Sequence, residues 1–340
     1  MPTFRTAAVT GLLAERPGLQ RVETDRGRAY VLTQLTGPVA VGDRVVLNTT
    51  AVDLGLGTGG WHVVHWNLAR DEWHQPGPGH LMKLRYTSLQ VDAGAAEEQH
   101  PDLPTDLGGV PVAVCSLHSQ VGVVAAVARA VGPSLRISYV MTDGAALPLA
   151  LSDLVADLQA AGCLDGTITA GHAFGGDLEA VSVPGALALA RHVQHADLVI
   201  VGMAPGVVGT GSPLGTTAVE VAAVLDAVAA LGGDPIAVPR MSSGDPRPRH
   251  RGLSHHTTTV LHLTRSRATV PVPTGEVVEG LERHAVAEVE PPDVAGLLAA
   301  AGLRITTMGR GPDEDELFFR AAGAAGQLAA ARAASLSRDD

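Results

Sequence analysis

The chain reads as an α/β protein: a mostly parallel, doubly wound Rossmann-like sheet preceded by a small N-terminal β-barrel-like domain. Three observations predict this. Between residues 110 and 272, short apolar runs alternate with stretches at helical spacing, the pattern of repeated βαβ units. Between residues 1 and 70, short strand-like segments are separated by Gly, Pro and Asp turns, as in a small antiparallel barrel. The stretch 198–233, LVIVGMAPGVVGTGSPLGTTAVEVAAVLDAVAALGG, opens on an apolar run without alternation, which marks a strand buried on both faces. It then passes through a Gly-rich loop into a helical pattern that ends at Gly232–Gly233, where a helix C-cap belongs.

Composition bounds the function. The 340 residues are 46% hydrophobic and 17% charged, which describes a globular chain long enough for two domains. Aromatics make up only 3%, so the core must be built from Val, Leu, Ala and Ile. The net charge of −11 argues against nucleic acid as a general partner and leaves one local basic patch, residues 240–251. Cys115 and Cys163 do not make a secreted disulfide framework and read as small core hydrophobes. The first 18 residues lack a signal-peptide pattern, and no apolar run is long enough for a membrane helix. These features predict a cytoplasmic protein without membrane contact, and they admit a homo-oligomer.

In chain order, strands are expected at 7–14, 20–24, 29–35, 44–48 and 61–66 in the first domain (1–70). A connector (71–109) follows, with one strand at 80–91. The α/β domain (110–272) carries strands at 110–116, 135–141, 166–170, 198–203, 235–238 and 258–264. Its helices are expected at 118–131, 147–161, 183–195 and 216–231. The last segment (273–340) reads as helices packed on that domain, at 274–284, at 292–301 and beyond Pro312, fraying from about Ala333.

In a doubly wound parallel sheet, ligands bind beyond the carboxyl ends of the strands. Polar residues follow five of the expected strands there. His118, Asp143, His172 and His256 are the acid–base candidates, because imidazole and carboxylate titrate in the useful range. Gly209, Thr210, Gly211, Ser212 and Gly215 would cradle an anion on the loop after residue 203. Arg240, Arg249, Arg251 and Ser254 would hold it, since guanidinium forks match phosphate and carboxylate. The most unusual segment, 245–257, packs three arginines and three histidines around two prolines. The neighbouring His255 and His256 are expected to point apart, so no metal is assigned; His250 with His255 is the alternative ligand pair.

Gly209, Gly211 and Gly215 give GxGxxxG rather than the dinucleotide fingerprint GxGxxG, and Arg240 stands where an acid would read the ribose. That arginine would suit a 2′-phosphate, so NADP remains an alternative; the cofactor is otherwise left open. A P-loop is excluded because Lys83 is the only lysine, and the GxSxG of the α/β-hydrolases is absent.

Four stretches together, GHLMKLRYTSLQ (from Gly79), MAPGVVGTGSPLG (from Met203), PRPRHRGLSHHT (from Pro246) and TMGRGPDEDELFF (from Thr307), resemble a bacterial, actinobacterial-type family, domain of unknown function 3866. The resemblance covers nearly the whole chain and implies that the four stretches form one functional unit. It transfers no catalytic residue. The residues themselves point to a small anionic ligand, a phosphorylated metabolite or nucleotide, bound at the sheet edge, with a hydrolase or transferase using His acid–base chemistry. The alternatives are a non-catalytic ligand-sensing regulator, an adaptor without ligand, and an NADP-binding protein.

Overall fold

The computed structural model describes residues 1–79 and 81–339, with side chains to residue 336. His80, the first residue of the expected strand 80–91, lies outside the described residues. The chain divides into two compact units, Met1–Gly94 and the remainder from Ala95.

The first unit is a closed five-stranded barrel. Its strands are β1 (Phe4–Arg16), β2 (Leu19–Thr24), β3 (Gly27–Leu32), β4 (Arg44–Asn48) and β5 (His62–Asn67), in the order β1-β2-β3-β5-β4. β1 pairs with both β2 and β4, and it does so by bending: its register against β2 shifts between Val9 and Gly11 and again between Leu12 and Ala14. β3 and β5 run parallel, so the barrel is not antiparallel throughout but closes as a Greek key of the OB type. Ala7, Val9, Val22, Ala29, Val31, Val45, Leu47 and Val64 fill its interior.

The expected strand 80–91 does not form. Only Met82–Lys83 and Val91–Asp92 pair, and between them Leu84 and Tyr86 adopt left-handed φ of 52° and 62°, which breaks the extended run. Apolar alternation alone misleads there, because it carries no information about φ.

Among the described residues, the second unit holds an eight-stranded, all-parallel sheet. Its strands are β6 (Pro111–Cys115), β7 (Ile137–Thr142), β8 (Gly166–Ala170), β9 (Leu178–Ala180), β10 (Leu198–Met203), β11 (Asp234–Val238), β12 (Thr269–Pro273) and β13 (Ala285–Val289). Their order is β9-β8-β7-β10-β6-β11-β12-β13. Alternate residues feed two separate cores. Ala113, Cys115, Ile137, Tyr139 and Ile200 face one, with α1 (His118–Val131) and α2 (Asp153–Ala160). Val112, Val114, Val140, Val199 and Val201 face the other, with α3 (Val183–His192) and α4 (Glu220–Ala230). The sheet is therefore doubly wound. Cys115 is fully buried, and burial pushes its thiol pKa far up, as expected of a core residue.

β6 and β10 are neighbours whose chains leave in opposite directions, β6 over one face to β7 and β10 over the other to β11. This is the topological switch point at which open α/β sheets present their ligand site.

Three C-terminal expectations are corrected. The β-branched segment 258–264 is not a strand: it belongs to α5 (His255–Leu263), capped by Ser254, and the strand follows at β12. Tertiary packing of Val260 and Leu261 overrides the β propensity of three consecutive threonines. Residues 274–284 form turns rather than a helix, and β12 and β13 extend the sheet across the expected boundary at 272/273. Finally, helix α7 (Glu316–Asp339) does not fray at Ala333, whose side chain is buried in the core. The expected helix near 292–301 is α6 (Val294–Ala300).

Gly323 and Gly326 let α7 lie close on its neighbours. A Cβ at Gly326 would stand 2.8 Å from the Val124 carbonyl oxygen and 3.0 Å from Val127 Cβ, both in α1. Gly326→Val is therefore expected to destabilise the second unit by about 1–3 kcal/mol, despite valine's better helix propensity, measured by urea unfolding.

Candidate functional site

The three histidines of the basic segment come together at the carboxyl edge beyond β11. Pro248–His250 forms a single 3₁₀ turn, and the chain then pairs Gly252–Leu253 back against Met241–Ser242. This return brings His250 over the first turn of α5, which carries His255 and His256. Ring centroids are 4.0 Å apart for His255 and His256, 5.1 Å for His250 and His255, and 5.2 Å for His250 and His256. The expectation that His255 and His256 diverge is thus overturned: at a helix start the two side chains converge beneath the returning loop. Ser254 explains the register. Its Oγ accepts the His256 backbone N–H at 3.3 Å as the N-cap and meets His250 Nδ1 at 2.8 Å.

All three imidazoles are held neutral. Burial, followed by the charges of Arg240 and Arg247, draws His250 down to about 3. Burial and the neighbouring His255 and Arg240 draw His256 to about 4. His255 is lowered by burial and by Arg249. The backbone of Thr210 opposes the shift of His256. His256 Nε2 is buried and has no partner among the described residues. His255 Nε2 is likewise buried and unpartnered among those residues.

A buried ionic network fixes this loop. Asp245, fully buried, accepts from Arg240 Nη2 at 3.1 Å, from Arg247 Nε at 2.9 Å and Nη2 at 2.7 Å, and from Arg310 Nη2 at 3.5 Å. Asp315, also fully buried, accepts from Ser242 Oγ at 2.6 Å, the Ser243 and Gly244 backbone N–H groups, and Arg310 Nε at 3.1 Å and Nη2 at 3.0 Å. Arginine contacts hold the Asp245 carboxyl well below its usual range, and hydrogen bonds from Ser242, Gly244 and Arg310 outweigh burial at Asp315. Arg240 is consequently buried and committed to Asp245, while Arg249 and Arg251 stay exposed. Residue types pair Arg310 with Asp315 or Glu316 on the surface; Asp315 is the partner, but it is buried, and the link to Asp245 is not legible from residue types. The signal for it is the resemblance that groups the stretches from Pro246 and Thr307 as one unit.

The Gly-rich loop is not a tight phosphate turn. Val208 to Thr217 folds as a hairpin excursion, with Thr210 N–H donating to the Gly215 carbonyl at 2.8 Å and Thr217 N–H to that of Val208 at 2.9 Å. Gly209, Thr210, Gly211 and Ser212 are exposed, and Gly215 is half-buried. The helical turn beyond is capped by the Thr216 side chain, and α4 begins with Glu220, so no bare helix N-terminus faces the loop. Gly209 serves instead to admit the imidazole of His256, because a Cβ there would lie 2.8 Å from His256 Cε1.

At the switch point itself, the protein fills the edge with its own polar groups. His118 Nδ1 donates to the Met203 carbonyl at 3.1 Å and Nε2 accepts from Ser152 Oγ at 2.7 Å, so both ring nitrogens are engaged. Gln120 accepts from Ser116 and Leu117 and donates to the Pro239 carbonyl at 3.0 Å. These two side chains brace the ends of β6, β10 and β11. Asp143 Oδ2 accepts the His172 backbone N–H at 3.0 Å, which joins the loops after β7 and β8. Glu220, which periodicity assigns only to a helix, bonds Thr142 Oγ1 at 2.5 Å, and burial raises its pKa. Its position shortly after a Gly-rich loop is the sequence signal for it.

A separate cavity of about 550 Å³ opens near the start of α7, lined by residues such as Pro291, Asp293, Glu316 and Arg320. Its lining holds no His, Ser, Thr or Cys. The chemistry-bearing groups gather instead where 204–217 meets 240–256.

A family model described as protein of unknown function (DUF3866) matches residues 28–326. The chain belongs to that family. No curated protein and no solved structure matches it. The DUF3866 match takes in the His-bearing loop, the Gly-rich excursion and both buried aspartates. No helix among the described residues is long and apolar enough to cross a membrane.

Burial draws the His118 pKa down to about 4, against the opposing pull of the Met203 carbonyl. The unfolded chain therefore takes up this proton first as pH falls from about 6.5, so the stabilisation is complete above that pH and lost towards 4. His118→Asn is expected to remove about 3 kcal/mol of the acid-induced loss in unfolding free energy between pH 7 and 4, read from urea melts across that range.

Proposed function

We propose that the chain binds a small anionic ligand, a phosphorylated metabolite or nucleotide, where the 204–217 excursion meets the 240–256 loop. One observation carries this reading. Residues 240–256 hold four arginines against one acid in a chain of net charge −11, and the exposed Arg249 acts electrostatically on His255 and His256. An anion placed there meets a guanidinium fork and neutral imidazoles together. Arg249 is the proposed clamp, Arg251 widens the positive surface, and exposed Thr210 and Ser212 supply hydroxyls.

The chemistry favoured is hydrolysis or group transfer with histidine as a base. His256 is the favoured base, because burial draws its pKa to about 4 and keeps the ring unprotonated at neutral pH. His118 braces the fold in this reading, and Asp143 and His172 belong to the adjoining loops. NADP is disfavoured, because the guanidinium that would have met a 2′-phosphate is bound to Asp245. A sensing role would use the same contacts and release the ligand unchanged.

A thermal-shift screen with inorganic phosphate, nucleotides and sugar phosphates, run with and without zinc, tests the proposal. A ligand at a hundred times its Kd should stabilise the fold by about 2.7 kcal/mol. Gly211→Asp, which adds negative charge where a side chain meets nothing within 4 Å, should abolish the shift without unfolding the chain, as should Arg249→Glu. No shift with any anion, or the same shift in both variants, would overturn it.

A further inference from the structure

The three-histidine cluster has a feature that anion binding alone does not explain. His250 and His256 are 1% and 5% exposed, yet the Nε2 atoms of His255 and His256 are buried with no hydrogen-bond partner among the described residues. A buried imidazole nitrogen without a partner is costly to keep, and the fold keeps two side by side. The opposite ring edge of His250 is, by contrast, secured, with Ser254 Oγ 2.8 Å from its Nδ1. A metal-ligating histidine is held in this way, with one nitrogen fixed on a carbonyl or hydroxyl so that the other presents its lone pair.

We propose that His250, His255 and His256 bind one divalent transition-metal ion of the zinc class. One ligand atom from each of the three residues falls within 4.8 Å of the others. Inward shifts of under about 1 Å would bring each nitrogen to the 2.0–2.1 Å of a zinc–imidazole bond. Three nitrogens and no carboxylate select zinc, cobalt, nickel or copper over magnesium or calcium. Asp245, the one acid in the loop, is spent on arginines, so the donor set stops at three and leaves a coordination position open, as in catalytic rather than structural zinc sites. The exposed Arg249 puts positive charge beside that position, which suits an anionic fourth ligand. The site stands on the histidine geometry and does not require the anion reading; with the metal bound, His256 is a ligand and the base role assigned to it above lapses.

The full chain, stripped with a chelator and dialysed against cobalt(II) and then zinc(II) alone, tests this without any substrate. Metal retained after desalting is counted by mass spectrometry, and cobalt is followed by its visible absorption. The wild type should hold one equivalent and give the intense band of four- or five-coordinate cobalt. His255→Ala, at a half-buried position, should weaken retention at least about tenfold, while His65→Ala in the barrel should match the wild type. Circular dichroism verifies folding, and His255→Gln serves as the second variant. Failure of the wild type to retain metal overturns the proposal, as does wild-type retention by a folded His255 variant. Phosphate binding that persists in the metal-free wild type would leave the anion reading standing by itself.

Discussion

The candidate site depends on two carboxylates that never reach solvent. Asp245 and Asp315 are each fully buried, and between them they engage Arg240, Arg247 and Arg310, the Ser242 hydroxyl and the backbone of 243–244. Removing one partner from such a buried set costs about 3–5 kcal/mol, because the remaining charges lose both water and partner. The network ties the loop after β11 to the segment that starts α7. Arg240 then passes the constraint on: its carbonyl accepts from Ser254 N–H at 2.9 Å and its own N–H donates to Thr257 Oγ1 at 3.0 Å, which sets where α5 begins.

The histidines follow from that placement. With α5 started at Ser254, His255 and His256 occupy its first turn, and the return from Pro248–His250 lays the third imidazole over them. Burial, helped by nearby arginine charge, keeps the rings neutral. A neutral imidazole is a base or a metal ligand, and a guanidinium surplus attracts anions, so both proposed roles come from one electrostatic arrangement. The switch point between β6 and β10, where topology alone would place a ligand, is instead closed by His118 and Gln120. The proposed site lies instead towards β11.

Much of the fold is legible in the sequence. Unalternating apolar runs such as 198–203 identify buried parallel strands, because a strand covered on both faces has no polar side to show. What fails is governed by terms a periodicity cannot carry. Residues 258–264 read as strand, but burial of Val260 and Leu261 makes 258–263 helical. Leu84 and Tyr86 break an alternating run through positive φ. At the site, residue types are readable and their partnerships are not. Arg240 looks like an anion clamp until its distance to Asp245 is known, and the three-imidazole cluster depends on a loop that returns His250 to the start of α5. Glu220 is hidden by its helical context.

Amide hydrogen exchange in the Asp315→Asn variant tests most directly whether the buried carboxylates hold the site together. Loss of one charge from the network should raise exchange across 241–257 and 307–315, while the strands 111–115, 137–142 and 198–203 keep wild-type protection. Unchanged exchange in 241–257 would contradict the dependence of the histidine cluster on Asp315, and so would uniform loss of protection across the sheet.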